Sequence, residues 1–276
     1  MVAQAQGQQQ AAQETGLVFD AEAARKVEAI YLHPDVIERR RRVRQALAIT
    51  QGERVLDIGC GPGFLTGEVA EEVGPNGWVC GVDISPSMLA LARGRAAGNA
   101  GAAWVDFREG NATALPFPDG SFDAAVATQV YEYVDDMPTA LAELNRVLRP
   151  GGRAVIVDTD WASLVWHSSD TARTARILEA WDEHLADPYL PRTLRPLLKQ
   201  AGFAVEGPEV IAIFNRGYEG YSQGAAGLVA AFVAGRRGIT QEDADAWLAD
   251  VQRLDAEDAY FFSLNQYLFS AVKAGA

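Results

Sequence analysis

The chain has 276 residues, of which 49% are hydrophobic and 22% charged, and its formal net charge is -13 with a sequence pI near 4.7. The composition is ordinary for a globular protein, and the length suits a single domain with one core. Because so acidic a chain is repelled by polyanions, nucleic acids and anionic membranes are excluded as default partners.

The N-terminal residues predict a tail followed by a helical cap. Residues 1–14 are rich in Gln and Ala without an apolar period, so we predict a disordered tail. The single domain then covers residues 15–276. Its first part, residues 15–50, is predicted to hold two helices, of which Asp20 caps the first and Pro34 opens the second.

The second of these helices is predicted to bury one face. Its apolar stripe consists of Val36, Val43 and Leu47. We assign the arginines at positions 39–42 and 44 to a solvated opposite face, with contact to an anionic substrate as the alternative.

Between residues 52 and 160 the pattern alternates between short apolar strands and helices. Strands are predicted at residues 54–58, 78–82, 103–107, 122–127 and 154–158, and helices begin near Phe64, Pro86 and Thr139. Such alternation predicts an α/β fold with a parallel sheet that helices cover on both faces.

The second half of the chain is mostly helical. Residues 161–202 and 216–259 are predicted as helical segments, and residues 203–214 and 261–272 read as two strands. In the later segment, apolar stripes mark two helices: Leu228, Val229, Phe232 and Val233 in one, and Trp247, Leu248, Val251 and Leu254 in the other.

Residue types that build metal or disulfide sites are few. The two cysteines and three histidines have no metal-ligand spacing, so we expect no metal site and no disulfide framework. No long apolar run predicts stable membrane insertion, and no secretory signal is apparent, so we expect a cytoplasmic protein.

The turn after the first strand is rich in glycine. It reads Asp57-Ile58-Gly59-Cys60-Gly61-Pro62-Gly63, and Asp83 ends the second strand. The spacing is G-x-G-x-G, whereas a dinucleotide turn has G-x-G-x-x-G. A pyrophosphate is disfavoured beside Asp57, whereas an ammonium group is favoured there, and Asp83 can accept the hydroxyls of a ribose.

Five motifs in chain order resemble those of class I S-adenosylmethionine-dependent methyltransferases, and the similarity is closest to the branch of ubiquinone and menaquinone C-methyltransferases. They cover residues 52–158 and comprise the stretches 55–63, 81–89, 109–112, 115–123 and 146–152. The resemblance implies a Rossmann-like, doubly wound, seven-stranded sheet, mostly parallel with an antiparallel last strand, and S-adenosyl-L-methionine as cofactor.

The resemblance also implies residue roles. Asp57, Gly59, Gly61 and Gly63 are expected to surround the methionine end of the donor, with Gln129 near the transferring methyl group. Asp83 is expected to bind the ribose. The adenine is expected to lie against Ile84, Met88, Asn111 and Ala112, with core packing as the alternative for Ile84 and Met88.

Candidates for the acceptor side follow the fourth and fifth strands. Tyr131, Asp160 and His167 are the predicted catalytic residues, because a base is needed if the acceptor must lose a proton. Glu132 and Tyr133, which lie in the same segment as Tyr131, are further candidates. The predicted acceptor contacts are Tyr31, Trp161, Trp166 and Phe232, and packing or surface roles are the alternative for each.

The helical segments 161–202 and 216–259 are predicted to form a lid over the methyl group, so the acceptor is expected to be a small, partly apolar or aromatic molecule. The alternative is that the inserted helices extend the core or form a dimer interface. We expect in-line methyl transfer by a monomer or homodimer. Other readings are a protein that holds the donor without transfer, an NAD-dependent oxidoreductase and a nucleic-acid methyltransferase.

Overall fold

The computed structural model describes Glu28 and residues 30–275. The predicted tail and most of the first predicted helix lie outside the described residues. The strands are β1 (Arg54–Ile58), β2 (Trp78–Asp83), β3 (Val105–Glu109), β4 (Phe122–Thr128), β5 (Leu148–Trp166), β6 (Phe203–Val205), β7 (Glu209–Asn215) and β8 (Phe262–Lys273). The helices are α1 (Pro34–Leu47), α2 (Phe64–Val73), α3 (Pro86–Ala96), α4 (Met137–Val147), α5 (Thr171–Trp181), α6 (Pro191–Gln200), α7 (Gly220–Val233) and α8 (Gln241–Ala256).

The strands form one mixed sheet in the order β3-β2-β1-β4-β5-β8-β6, and β7 also pairs with β8. Strands β1 to β5 are parallel, whereas β8 runs antiparallel to all its partners. The prediction of a doubly wound, mostly parallel sheet with an antiparallel last strand is therefore confirmed. The predicted sixth strand is broken between Val205 and Glu209, which makes eight strands from seven.

Alternation along the strands divides the main core into two layers. Val55 and Val155 point to the face covered by α1 and α2, while Leu56 and Ile156 point to the face covered by α4 and α6. Because both faces are covered, the central parallel strands are mostly apolar, whereas the edge strand β3 carries Asp106, Arg108 and Glu109. Ligand access is left at the carboxyl ends of β1, β2 and β4.

Helices α5, α7 and α8 build a second apolar cluster beyond the carboxyl edge of the sheet. They pack around Trp166 and Phe262, where β5 and β8 extend past their parallel neighbours. Trp247 is fully buried there against Trp166, with ring centroids 4.8 Å apart. The predicted capping box holds the start of α8, since Thr240 and Asp243 exchange hydrogen bonds.

Two predicted boundaries are corrected. Strand β5 begins at Leu148 and runs to Trp166, because its second half pairs with β8 alone. Helix α6 does not belong to the helical segments beyond the sheet edge, since Leu194 and Leu198 are buried in the core beneath the sheet. Among the described residues, no helix has the length and apolarity needed to cross a bilayer, and no group of His, Cys, Asp or Glu side chains could hold a metal ion.

Candidate functional site

The glycine-rich turn joins the carboxyl end of β1 to the start of α2. Gly61 has φ +52, in the left-handed region, and a side chain on it would meet the Tyr31 hydroxyl at 3.1 Å. Its N–H donates to Asp83 Oδ2 at 2.9 Å, and the Ser85 N–H donates to Oδ1 at 2.8 Å. The Asp83 carboxylate is thereby fixed at the carboxyl end of β2, with lone pairs left for a ligand.

A small cavity lies beside this turn. Its lining comprises a buried acid, two arginines, a glycine, a thiol, and apolar and hydroxyl groups: Tyr31, Arg39, Arg40, Asp57, Gly59, Cys60, Leu65 and Thr128. Arg40 is paired with Glu68 at 2.9 Å and also donates to the Tyr31 carbonyl. Tyr31 stacks on Phe64, and its chain segment therefore closes one side of the cavity.

Of the two arginines that line the cavity, Arg39 forms no ion pair with a described residue. It is 6% exposed. Its Nη1 donates to Gln266 Oε1 at 3.3 Å, and its Nε has no partner among the described residues. Burial lowers the pKa of Arg39, and the nearby Tyr221, Tyr31 and Glu132 oppose this only in part. Such a group is available to an anionic ligand.

Asp57 supplies the opposite charge. Burial raises the pKa of Asp57 to about 7, against the effect of the Thr66 hydroxyl, which donates to Oδ2 at 2.6 Å. A cation in the cavity would therefore favour the ionised form of Asp57.

Polar side chains connect the floor of the site across β4, β5 and β8. Gln129 has φ +58 and follows β4; its Oε1 accepts from the Thr159 hydroxyl at 2.7 Å and from Gln266 Nε2 at 2.8 Å. Because Gln266 also contacts Arg39, these side chains form one chain of hydrogen bonds. The Gln129 Nε2 has no partner among the described residues and is free to donate.

An aromatic group of side chains packs at the second apolar cluster, with Trp181 and His184 buried and Trp161 and Phe232 half-buried. Trp161, Trp181, His184 and Phe232 contact one another with ring centroids between 3.7 and 5.7 Å apart. The exposed Tyr133 ring meets His184 edge-on at 5.7 Å. We call these five side chains the aromatic wall. They bring together Phe232 from α7 and Trp161 from β5, two of the predicted acceptor contacts.

The predicted catalytic residues are not brought together. Tyr131 is fully buried in the core beneath the sheet, and burial raises its pKa far above the ordinary value. Asp160 is held by Arg192 through two hydrogen bonds of 2.9 Å. His167 is exposed beyond the end of β5. The three side chains therefore do not form one catalytic group in this structure, and a role for any of them as base stays a prediction.

The other predicted residues lie at the site to different degrees. Ile84 is 70% exposed beside Asp83, as an adenine contact requires, and Ala112 is buried near that edge. Asn111 is exposed, with its Oδ1 accepting from Thr113. Met88 is 4% exposed and packs against Tyr31 and Leu228. Trp166 belongs to the second apolar cluster, where packing and not acceptor contact accounts for it.

Sequence reasoning missed Arg39, Gln266 and His184. Arg39 lies three residues after Val36 and four before Val43, so the helical period places it on the buried stripe. Arg40 is buried as well, and the assignment of these two arginines to the solvated face was wrong. Gln266 lies two residues from each of the buried Leu264 and Leu268, so the strand period places it on the same inward face as these leucines. His184 gives no local signal.

Known proteins resemble this chain in the region of the glycine-rich turn and the parallel strands. A family model described as a methyltransferase domain matches residues 56–156. The O-methyltransferase rstn1 of Aspergillus nomiae is 33% identical over 167 residues, which cover 60% of this chain and 70% of that protein. The chain belongs to the S-adenosylmethionine-dependent methyltransferase family.

Other members of this methyltransferase family match over shorter stretches. The 2-phytyl-1,4-naphtoquinone methyltransferase of Synechococcus elongatus is 46% identical over 111 residues, which cover 40% of this chain and 48% of that protein. The match thus spans about half the length of such relatives. The crystal structure of a putative methyltransferase from Bacillus halodurans superimposes with a TM-score of 0.62 at 19% identity, covering 86% of this chain and 99% of that one, which shows the shared fold.

The described residues fit the methyl donor of this family. Its methionine end carries an ammonium and a carboxylate, and the cavity offers Asp57 and the unneutralised Arg39. Gly61 lets Tyr31 approach the turn closely, and Asp83 holds a fixed carboxylate that can accept hydroxyl groups. Gln129 and Thr128 add unpartnered polar atoms at the carboxyl end of β4.

The buried acids of the site predict how stability depends on pH. Burial raises the pKa of both Asp57 and Glu132 to about 7, well above the values near 4 of an unfolded chain. The folded state therefore binds these protons more tightly, and their contribution is fully present below about pH 4 and lost as pH rises through 7. Without donor, the free energy of unfolding should fall from pH 5 to pH 8, on the order of 3 kcal/mol for Asp57, and the raised pKa of Glu132 acts in the same direction.

Denaturant unfolding at several pH values measures this dependence. The Asp57→Asn variant should show a shallower decline than the native chain, because one of the two groups no longer ionises. A stability that rises from pH 5 to pH 8 would contradict the pKa shifts.

Proposed function

We propose that the chain transfers the methyl group of S-adenosylmethionine to a small, partly apolar or aromatic acceptor. The observation that supports this proposal is that Trp161 of the aromatic wall contacts Glu132 just after β4, and β4 is the neighbour of β1, whose carboxyl end leads into the glycine-rich turn, here called the donor turn. Family membership supports the donor, and the aromatic wall supports the acceptor class.

For donor binding, we propose that Asp57 holds the ammonium group, directly or through water, and that Arg39 holds the carboxylate. Asp83 binds the ribose hydroxyls, and Ile84 and Ala112 lie against the adenine. The opposite charges of Asp57 and Arg39 fix the direction in which the donor lies. Gln129, at the end of β4, is then next to the sulfur end of the molecule.

The donor supplies a methyl group that positive sulfur has already activated. What the chain must add is alignment of the acceptor behind that methyl group and exclusion of water, and orientation of this kind is worth roughly 7–11 kcal/mol in favourable cases. The segment around Tyr31, together with α7, closes the site from above: Ile30 lies so close to Gly224 that a side chain there would overlap it, and Leu228 packs on Met88. We propose that these elements form the lid.

Arg39 gives this arrangement a direct test. Arg39→Met should weaken S-adenosylmethionine binding by about 10- to 100-fold, since a charged hydrogen bond contributes roughly 1.5–3 kcal/mol. Calorimetry measures the affinity. The control is Arg41→Met, which removes an exposed arginine of the same helix that pairs with Glu38.

A donor analogue without its carboxylate makes the assignment specific. Decarboxylated S-adenosylmethionine should bind the native chain more weakly than the full donor, whereas the Arg39→Met variant should bind the two about equally. If the variant still discriminates between them, another group holds the carboxylate.

Methyl transfer itself is tested with donor labelled with tritium in the methyl group. The purified chain is incubated with phenols, catechols, hydroxynaphthalenes and indoles, and label should appear in at least one extractable product. A chain that binds the donor tightly but labels no member of the panel would support the alternative that it holds the donor without transfer.

A further inference from the structure

Glu132 is a buried carboxyl that the donor does not account for. It lies in the short helical turn Tyr131–Tyr133 after β4, three residues from Gln129, and its exposed fraction is 0%. Buried carboxyl groups are normally paired or fully hydrogen-bonded, because desolvating the charge is costly. No described lysine or arginine lies within ion-pair distance of Glu132.

Only one oxygen of the Glu132 carboxyl is satisfied. Oε2 accepts from the Thr159 backbone N–H at 3.0 Å and from the Trp161 indole N–H at 3.3 Å. Oε1 is buried and has no partner among the described residues. Two donors therefore fix the orientation of the carboxyl and leave the second oxygen as an acceptor without a donor.

The surroundings of Glu132 suit an aromatic ligand with a hydroxyl group. Trp161, which donates to Oε2, belongs to the aromatic wall, and the adjacent Tyr133 is its exposed member. Aromatic side chains offer the faces and edges against which a flat ring packs. A ring on this wall with a hydroxyl toward Glu132 would supply the missing donor.

We propose that Glu132 is the general base, and that its Oε1 accepts the proton of an aromatic hydroxyl on the acceptor. This inference rests on the proposed methyl transfer and names the acceptor class within it: a phenol or a related hydroxyaromatic molecule. Methylation on the oxygen and on a ring carbon both begin with loss of the hydroxyl proton. After methylation on carbon, the proton on that carbon leaves and the oxygen regains a proton, which restores the aromatic ring.

The step balances with the groups named. The hydroxyl proton passes to Glu132 Oε1, and the electron pair it leaves makes the ring system nucleophilic. A new bond forms to the methyl carbon while the carbon–sulfur bond breaks and its electrons stay on sulfur. Glu132 ends protonated and returns the proton to solvent. Burial raises the pKa of Glu132 to about 7, which Arg39 opposes, and a base is most effective when its pKa is near the working pH.

Several other titratable groups lie near Glu132. Burial and the neighbouring Glu132 raise the pKa of Asp158, on β5, well above the ordinary value; its Oδ1 accepts the N–H groups of Val130 and Glu132, and its Oδ2, like Glu132 Oε1, has no partner among the described residues. Arg39 from α1 stays protonated. Tyr133 and Tyr221 have raised pKa values, and burial lowers that of His184 to about 4, so none of these three changes charge near neutrality.

The first test measures binding and needs no turnover. Phenol stays neutral below about pH 10 and serves as the probe, with toluene as the matched molecule without a hydroxyl. With S-adenosylhomocysteine bound, phenol affinity should rise at least threefold between pH 6 and pH 8, as Glu132 ionises and becomes an acceptor. Toluene affinity should not change, and Glu132→Gln should remove the pH dependence for phenol.

The second test is kinetic. For a phenol that the native chain methylates, Glu132→Gln should lower kcat by about 10²- to 10⁴-fold, the range of general-base catalysis, with the acceptor KM changed far less. Donor affinity and melting temperature should stay close to native, because glutamine can still accept from Thr159 and Trp161. The native kcat should fall as pH drops below about 7, and analysis of the product separates methylation on oxygen from methylation on carbon.

Three outcomes would overturn the inference: no phenol binding, a pH dependence that toluene or the Glu132→Gln variant shares, or a variant that keeps native kcat. Failure of the proposed function looks different, because then the native chain would not bind S-adenosylhomocysteine or would transfer no methyl group to any acceptor.

Discussion

Gly61→Val should abolish binding of S-adenosylmethionine while the chain remains folded. Gly61 has φ +52, and a β-carbon there would already lie 3.1 Å from the Tyr31 hydroxyl. Valine adds two further carbons near Tyr31, which lines the cavity, at the turn where we propose that the donor approaches backbone. We expect no binding by calorimetry at concentrations at which the native chain is saturated, with far-ultraviolet circular dichroism close to native.

Gly74→Val is the matched control for Gly61→Val. Gly74 follows α2 with φ +66, so valine is strained there as well, but the space around it is open. This variant should lose stability and keep its donor affinity. Equal loss of donor binding in both variants would mean that backbone strain, and not occupied ligand space, causes the effect.

Asp83→Ala should weaken donor binding by about 10²- to 10⁴-fold. The carboxylate would lose two charged hydrogen bonds to the ribose, each contributing roughly 1.5–3 kcal/mol. The variant also loses the acceptor for the Gly61 N–H, which fixes the donor turn. Both consequences act in the same direction, and calorimetry measures their sum.

Two controls accompany Asp83→Ala. Asp83→Asn keeps the shape and one acceptor oxygen, so its affinity should lie between native and alanine. Asp106→Ala removes a carboxylate on the neighbouring strand that pairs with Arg108, and its affinity should be native. Native affinity in a folded Asp83→Ala variant would show that the ribose lies elsewhere.

The local sequence pattern closely predicted the strands and helices of residues 52–160, the cofactor-binding half of the fold. Strand β1 and helix α2 begin and end where the apolar period and the glycines place them, and Ser85 caps α3 as its position before Pro86 predicts. These features depend on neighbours in sequence. For the same reason the donor turn and Asp83 could be found without a structure.

The acceptor side depends on elements far apart in the chain. Glu132 acquires its partners from β5, Gln266 reaches Arg39 across more than two hundred residues, and Phe232 meets His184 only because α7 packs beside α5. A reference pKa favoured His167 as base, but burial and accessible geometry decide which group can act, and these come from tertiary packing. The long β5 was missed because its second half is held by β8 alone.

Calorimetric titration of the native chain with S-adenosylhomocysteine, beside a matched titration with NAD, tests the central claim most directly. S-adenosylhomocysteine offers the ammonium, carboxylate, ribose and adenine for which Asp57, Arg39, Asp83 and Ile84 are proposed, and it cannot turn over. We expect saturable binding of S-adenosylhomocysteine at one site and no binding of NAD, because a pyrophosphate would lie against the buried Asp57. Saturable binding of NAD with no binding of S-adenosylhomocysteine would contradict the account.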